Sequence, residues 1–375
     1  MYGGRFTAKG NLYYCSSQQS INLYDTTDPY NWALKSQIPA QRISWTVTDM
    51  DVTPDEQFLV YSSIDPYVRL VDLETLKRKQ EFLDLSGNPG RDQDGWHGGS
   101  GIMSMKLSGD AKELVAGTKA AQVLVYDLVA NRMVNRVNSA HNDEINSVCW
   151  ANREHSNIVF TGSDDALVKF WDRRALGGSN RPAGVFVGHA EGITNVASRG
   201  DGIYVASNAK DQLLKVWDIR KAVGYDRFRG MHLPQQDPGF DYRYGVKYRQ
   251  VNRQQKHFAD KSLFTFKGHQ VYSTLIRCQF SPLETTGQRY VYTGSSDGKI
   301  WIYDLVTGDT AGVLKKPASA ARQDHYGYHY GGRAHNSPCR DISWHPFLPV
   351  LASTEFNGNV NIWTLQNLDD QEKLA

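Results

Sequence analysis

Residues 158–174 read IVFTGSDDALVKFWDRR: a β-branched and aromatic run, a polar turn at Asp164-Asp165, a second β-rich run and a Trp171-Asp172 end. Alternating apolar runs broken by turn formers at this spacing spell two short strands and the hairpin between them. The same grammar returns at 204–220, YVASNAKDQLLKVWDIR, where Ser207 stands for Thr161, Asp211 for Asp165, Trp217 for Trp171 and Arg220 for Arg174. An internal repeat outranks any other signal, because it makes the chain a series of like units.

Aligned on Trp171, the other units end at Tyr24-Asp25, Val71-Asp72, Tyr126-Asp127, Tyr303-Asp304 and Trp363-Thr364, which makes seven with the two above. Six positions before each aromatic or Val stands a turn residue: Gln18, Asp65, Ala120, Asp165, Asp211, Asp297 or Asn357. Upstream of each turn lies a β-rich run, at 12–15, 58–61, 114–116, 158–160, 204–206, 290–292 and 350–352, the expected central strands. A chain of 375 residues accommodates seven units of roughly 45–50 residues as one body. With 33 Gly and 20 Tyr, the composition suits many short strands joined by tight turns.

Charge excludes a global field: 42 basic against 40 acidic residues leave +2, so any nucleic-acid or membrane attraction has to be local. No apolar run reaches the roughly 18 residues of a membrane span, and the start MYGGRFTAKG lacks the apolar core of a secretory signal, so a soluble, intracellular chain of the nucleus and/or cytoplasm is expected, with no membrane partner. Cys15, Cys149, Cys278 and Cys339 lie far apart without a CxxC pair, which predicts buried thiols and neither a disulfide frame nor a metal site.

The whole pattern resembles the WD-repeat family, with Gly188-His189, Gly268-His269 and Ala140-His141 standing where that family has its Gly-His pair. The resemblance implies an all-β, seven-bladed WD-repeat β-propeller over 1–366, with strands a to d in each blade, long insertions at 221–262 and 317–334, and a C-terminal tail at 367–375. The first unit, without His and Asp landmarks, counts as a blade, with strand a at 4–7. A milder extension lies at 85–101. The 221–262 insertion follows strand c of the fifth unit, and the others follow strand d; by topology the first faces away from the rest. Because strand a of the first unit starts at once and the tail NLDDQEKLA is acidic, the seventh blade is expected to have three strands.

Ser207, His189 and Asp211 invite reading as a hydrolytic triad. The repeats argue otherwise, since the same set recurs as Thr161/His141/Asp165 beside Trp171, as Thr293/His269/Asp297 beside Tyr303, and as Ser353/His335/Asn357 beside Trp363. An enzyme needs one nucleophile, whereas a constellation repeated per blade reads as a structural tetrad; in the family resembled, Trp217, Ser207, His189 and Asp211 would form one buried hydrogen-bonded chain. No catalytic residue and no cofactor are expected. His325 and His329 share helical spacing, but Gly327, Gly331 and Gly332 oppose a helix, so the segment with Tyr326, Tyr328 and Tyr330 reads as an aromatic loop; with Trp96 these are candidate substrate contacts. The 221–262 insertion carries Arg227, Arg229, Arg243, Lys247, Arg249, Arg253 and Lys256 among aromatics. That mixture suits single-stranded nucleic acid, a docking element or a packed decoration; without an RNA-binding motif, nucleic acid is the disfavoured reading.

The sharpest signal follows the Trp-Asp pair. At the Arg174 register the seven units read Thr27, Glu74, Val129, Arg174, Arg220, Val306 and Gln366, and nothing in the repeat requires arginine there. Paired guanidinia bind carboxylates and carbonyls bidentately, which suits docking. Trp171-Asp172-Arg173-Arg174 and Trp217-Asp218-Ile219-Arg220 match the WDxR pattern of the DWD box, so the chain resembles the DCAF family, and 264–282 (FTFKGHQVYSTLIRCQFSP) with 341–346 (DISWHP) resembles its DCAF-eleven type. What this resemblance implies is a non-enzymatic substrate receptor of a cullin-4 ubiquitin ligase, with Asp172, Arg174, Asp218 and Arg220 meeting the damaged-DNA-binding protein one adaptor and the substrate on the opposite face. The alternative is a WD-repeat scaffold for a protein or RNA-processing complex that uses the basic insertion.

Overall fold

The computed structural model describes residues 3–75, 80–86, 101–152, 154, 157–176, 180–233, 236, 241–244, 257–316 and 337–364. They form the seven antiparallel blades of a WD-repeat β-propeller, six with four strands and one with three. The first blade is β1 (Gly3–Phe6), β2 (Leu12–Ser16), β3 (Ser20–Asp25) and β4 (Ala33–Pro39), and the second is β5 (Val47–Val52), β6 (Phe58–Ser63), β7 (Tyr67–Asp72) and β8 (Glu81–Asp84). The third is β9 (Ile102–Leu107), β10 (Glu113–Thr118), β11 (Val123–Asp127) and β12 (Arg132–Val137). The fourth is β13 (Ile145–Trp150), β14 (Ile158–Ser163), β15 (Val168–Asp172) and β16 (Gly184–Phe186). The fifth is β17 (Ile193–Ser198), β18 (Tyr204–Ala209), β19 (Leu214–Asp218) and β20 (Phe264–Phe266). The sixth is β21 (Cys278–Phe280), β22 (Tyr290–Thr293), β23 (Ile300–Asp304) and β24 (Thr310–Leu314). Three strands, β25 (Cys339–Trp344), β26 (Leu351–Glu355) and β27 (Val360–Trp363), make the seventh among the described residues.

The blades belong to two compact units, one built on blades two to five and the other on blades six, seven and one. Within each, a blade buries its face against the next. Val115, Val123 and Val125 of the third blade meet Ile145, Val148 and Trp171 of the fourth, while Phe160 and Phe186 of the fourth meet Ile193, Val196 and Trp217 of the fifth. In the other unit, Tyr292 and Ile300 pack on Ile342 and Leu351, and Phe6, Tyr13 and Cys15 pack on Val350 and Ala352. The approach is close enough that Gly162 has to lack a side chain: a Cβ there would stand 2.6 Å from Ile193 Cγ2. All four cysteines are buried and free.

Polar bonds join neighbouring blades as well, and nothing in the repeat announced them. Asp49 on β5 accepts from Ser104 Oγ and from Lys106 Nζ on β9, both at 2.9 Å. Asp341 on β25 takes Arg277 of the sixth blade at 3.0 Å and the Gly4 amide of the first at 3.2 Å.

The long insertion after β19 packs on the fourth blade. Val223 pairs with Val185 of β16 through both amides at 2.9 Å, and Phe228, Met231 and Ala259 pack with it over Leu167, Val185 and Val187. The insertion therefore covers the outer edge of the short strand β16, which would otherwise stand exposed. By Gln236 it has climbed the blade, for its amide donates to the Asp164 carbonyl at 2.5 Å, in the turn between β14 and β15, at the end of β15 opposite Asp172. The insertion leaves after Asp218 at the end of β19 and yet reaches the other end of the fourth blade, because topology fixes where it leaves, not where its length carries it. No helix among the described residues is long and apolar enough to cross a membrane.

Candidate partner-docking site

In six blades the aspartate ending strand c does one job. Its carboxylate accepts the backbone N–H two residues on, from Thr27 (2.9 Å), Glu74 (2.9 Å), Val129 (2.9 Å), Arg174 (3.0 Å), Arg220 (2.9 Å) and Val306 (2.7 Å). This Asx-type turn satisfies a backbone donor at the strand end and pushes the residue it caps outward. Each of the six capped residues is exposed; even the valines Val129 and Val306 are 77% and 75% accessible. The repeat thus builds an outward position per blade, and the fourth and fifth fill it with arginine.

Both arginines share one geometry. After β15 and β19 the chain makes short 3-10 turns, Arg173–Ala175 and Ile219–Lys221. Arg174 donates Nε to Asp172 Oδ1 at 3.0 Å and Nη2 to Oδ2 at 2.8 Å; Arg220 does so to Asp218 at 2.9 and 2.7 Å. The arginine side chains remain 67% and 65% exposed. Hydrogen bonds from their own arginines hold the Asp172 and Asp218 carboxyls below the usual carboxylate range, and the same bonds push both guanidinia upward. One edge of each fork is fixed by its own carboxylate, and Nη1 has no partner among the described residues. A cation held in one orientation loses little side-chain entropy when a partner's carboxylate or carbonyl arrives. Arg173 does not belong to the pair, since it turns back to Glu113 of the third blade. All these residues lie in the unit of blades two to five.

The tetrads of the fourth and fifth blades form as expected. Trp171 Nε1 donates to Thr161 Oγ1 (3.0 Å), which stands 2.7 Å from His141 Nε2, and His141 Nδ1 stands 2.9 Å from Asp165. Trp217, Ser207, His189 and Asp211 repeat this at 2.7, 2.7 and 3.0 Å. Trp171, Thr161, His141, Trp217, Ser207, His189 and Asp211 are all buried. The sixth blade is a correction. There His269 Nδ1, the nitrogen that faces a carboxylate in the other two, lies 2.9 Å from the Tyr303 hydroxyl, while Thr293 donates to the Arg277 and Gly294 carbonyls and Asp297 holds Lys299 at 2.5 Å. Phenol reaches farther than an indole N–H and meets the imidazole directly. In the seventh, Trp363 Nε1 donates to Ser353 Oγ at 2.9 Å; His335 lies outside the described residues.

Burial pushes the His141 imidazole down from 6.5, because the cation is disfavoured there, although Asp165 pulls the other way. Above pH 6.5 both folded and unfolded chains carry neutral His141; below it the unfolded chain takes a proton that the folded chain refuses, so stability falls. Burial raises Asp165, but His141 outweighs it and the carboxyl sits below 3.8, so its contribution is lost only at still lower pH. Urea unfolding is expected to give a constant free energy at about pH 7–8 and a decline by about pH 5.5, less steep in His141→Gln. Equal stability at pH 7 and 5.5 would contradict the buried neutral imidazole.

Trp96, Tyr326, Tyr328 and Tyr330, the residues expected on the substrate side, lie outside the described residues, as do Lys247, Arg249, Arg253 and Lys256. Within the described part of the insertion a third Asp-x-Arg turn occurs: Asp241 accepts the Arg243 amide at 2.9 Å and its Nε and Nη2 at 2.9 and 2.6 Å. Sequence reading passed over it, although Asp-Tyr-Arg was the available signal.

A WD domain, G-beta repeat family model matches residues 180–218, 260–304 and 330–364, and a model for the N-terminal domain of nucleolar protein 10-like proteins matches 33–183. The chain is 38% identical over 379 aligned positions to the LEC14B protein of Lithospermum erythrorhizon, covering 99% of this chain and 74% of that protein. It is 39% identical to the LEC14B homolog of Prunus armeniaca, with 99% and 73% covered. It is also 32% identical over 332 positions to the DDB1- and CUL4-associated factor 11 homolog of Caenorhabditis elegans, covering 88% of this chain and 53%, about half, of that relative.

Proposed function

From the premise that this chain belongs to the WD-repeat propeller family of the LEC14B proteins, a DCAF-type propeller, we propose that it is a substrate-recognition subunit of a cullin-4 RING ubiquitin ligase, docking the DDB1 adaptor through Arg174 and Arg220. The observation that carries this reading is the arginine pair. Of the six outward positions capped by a strand-end aspartate, only those of the consecutive blades four and five are arginine, each pinned by its own carboxylate. The name of the Caenorhabditis elegans relative supplies the partner. Ubiquitin transfer is left to other subunits, because the Ser/Thr-His-Asp sets recur as Trp-linked structural tetrads. The substrate binds at the opposite ends of the blades, and the assembly works inside the cell, in the nucleus and/or cytoplasm.

Co-purification with recombinant adaptor tests this. Arg174→Ala and Arg220→Ala are each expected to weaken binding by roughly 1–3 kcal/mol, and the double substitution to abolish capture. Melting temperature stays near wild type, since exposed local ion pairs contribute little to folding. A double variant that retains the adaptor at wild-type yield would leave the chain as a scaffold of another kind.

A further inference from the structure

The first arm of the insertion carries cations that its packing does not use. It forms a single helical turn, Tyr225–Phe228, closed by the Phe228 amide on the Gly224 carbonyl at 3.0 Å and the Arg229 amide on the Tyr225 carbonyl at 3.1 Å. Val223, Phe228 and Met231 fasten it over Val185 of β16, and Lys169 Nζ of β15 lies 5.8 Å over the Phe228 ring. Those members suffice to cover the strand edge. On the outer side Lys221, Arg227 and Arg229 stand exposed, and the Arg227 and Arg229 side chains hold no ion pair among the described residues. Arg181, 62% exposed, lies against the same turn, 5.6 Å over the Tyr225 ring and 3.9 Å from the exposed Asp226. Four cations thus share one carboxylate, in a chain whose whole charge is +2.

Strand pairing places this patch. Val223 runs antiparallel to Val185, and the Ala183 amide donates to the Phe170 carbonyl of β15 at 2.8 Å, so Arg181 and the helical turn lie toward the Asp172 end of the fourth blade. Lys221 follows Arg220 directly. The cations therefore flank Arg174 and Arg220 at one end of one unit. Like charges gathered without counterparts repel one another, a cost that is recovered only when a surface of opposite sign arrives. We propose that the partner docked on the arginine pair extends an acidic surface over Arg181, Lys221, Arg227 and Arg229, and that this patch steers its approach. The inference rests on the reading above and adds the chemistry of the partner's rim. A nucleic-acid strand fits less well, since Arg181 stacks on Tyr225 and Phe228 is packed inward, which leaves the turn little for a base to stack on.

Association kinetics of the full chain with the recombinant DDB1 adaptor, at about 50 and about 300 mM salt, test the patch. The wild type is expected to associate several-fold faster at the lower salt. Lys221→Glu/Arg227→Glu/Arg229→Glu should slow association about tenfold there, with the gap closing at high salt and dissociation staying within about twofold of wild type. The milder Lys221→Gln/Arg227→Gln/Arg229→Gln should fall between the two and melt near the wild-type temperature, so the comparison stands even if three added carboxylates disturb the turn. The Arg174→Ala/Arg220→Ala variant, by contrast, should lose capture altogether. A wild type that holds the adaptor at a rate indifferent to salt and to the Gln substitutions would overturn the patch and leave the arginine pair standing. A wild type that binds no adaptor removes both. Faster dissociation as the main effect of the Gln substitutions, or an oligouridine bound by the wild type and lost by that variant, would also overturn the proposal.

Discussion

Lys215→Met is expected to lower the unfolding free energy by about 3–5 kcal/mol, because it leaves Asp260 charged and buried without its cation. Lys215 Nζ stands 2.8 Å from Asp260 Oδ2 and 3.1 Å from Thr265 Oγ1, with the two charged side chains 4% and 1% exposed. The pair ties the end of the insertion to β19, and Asp260 sits so near Gly188 that a Cβ there would come within 2.6 Å of its Cγ. Lys215 and Ser262 outweigh burial and hold the Asp260 carboxyl below its usual range, so acid does not release it early. A second substitution, Asp260→Leu, should restore much of what Lys215→Met removes, since an apolar pair of similar volume carries no desolvation penalty. If the single variant unfolds at the wild-type urea midpoint, the insertion is not fastened here.

Asp211→Ala is the second large effect, expected at about 2–4 kcal/mol in the same measurement. Its carboxylate accepts from His189 Nδ1 at 3.0 Å, from the Ala190 amide at 2.9 Å and from the Leu213 amide at 3.1 Å. Removing it strands a buried imidazole N–H and loosens the turn into β19. The matching change in the sixth blade, Asp297→Ala, should cost under about 1 kcal/mol, because that carboxylate is 23% exposed and holds a Lys299 side chain that reaches solvent. Equal losses at the two positions would mean the blades share one tetrad after all. A hydrolase activity that disappears with Ser207→Ala would overturn the structural assignment outright.

The readable parts of this chain were those the repeat states locally. The runs at 12–15, 58–61, 114–116, 158–160, 204–206 and 290–292 lie inside the second strands of their blades, and even the first unit, poor in landmarks, forms four strands. Arg174 and Arg220 stood out because five sibling positions carry other residues. The sixth tetrad was misread because residue type says nothing of reach: Tyr303 occupies the place of an indole but extends its hydroxyl to His269. The insertion's path was illegible because Val223, Phe228, Met231 and Ala259 follow no period and find β16 only once the blade exists. Bonds such as Asp49 to Lys106 couple positions 57 apart, where no local pattern points from one to the other. The strand-end aspartates were visible, yet their service to the amide two residues on needs backbone geometry to be seen.

Those capped turns separate architecture from address. Since the bond common to all six runs from the aspartate to the following backbone, whatever side chain is presented, positions 27, 74, 129, 174, 220 and 306 behave as interchangeable sockets on a common mount. The Thr27 hydroxyl and the two arginine side chains add bonds of their own to the same carboxylates. A chain with Arg at 74 and 129 in place of 174 and 220 would keep its blades and carry the fork two positions round the repeat, so four substitutions outside every strand suffice to move the paired cations to another pair of blades.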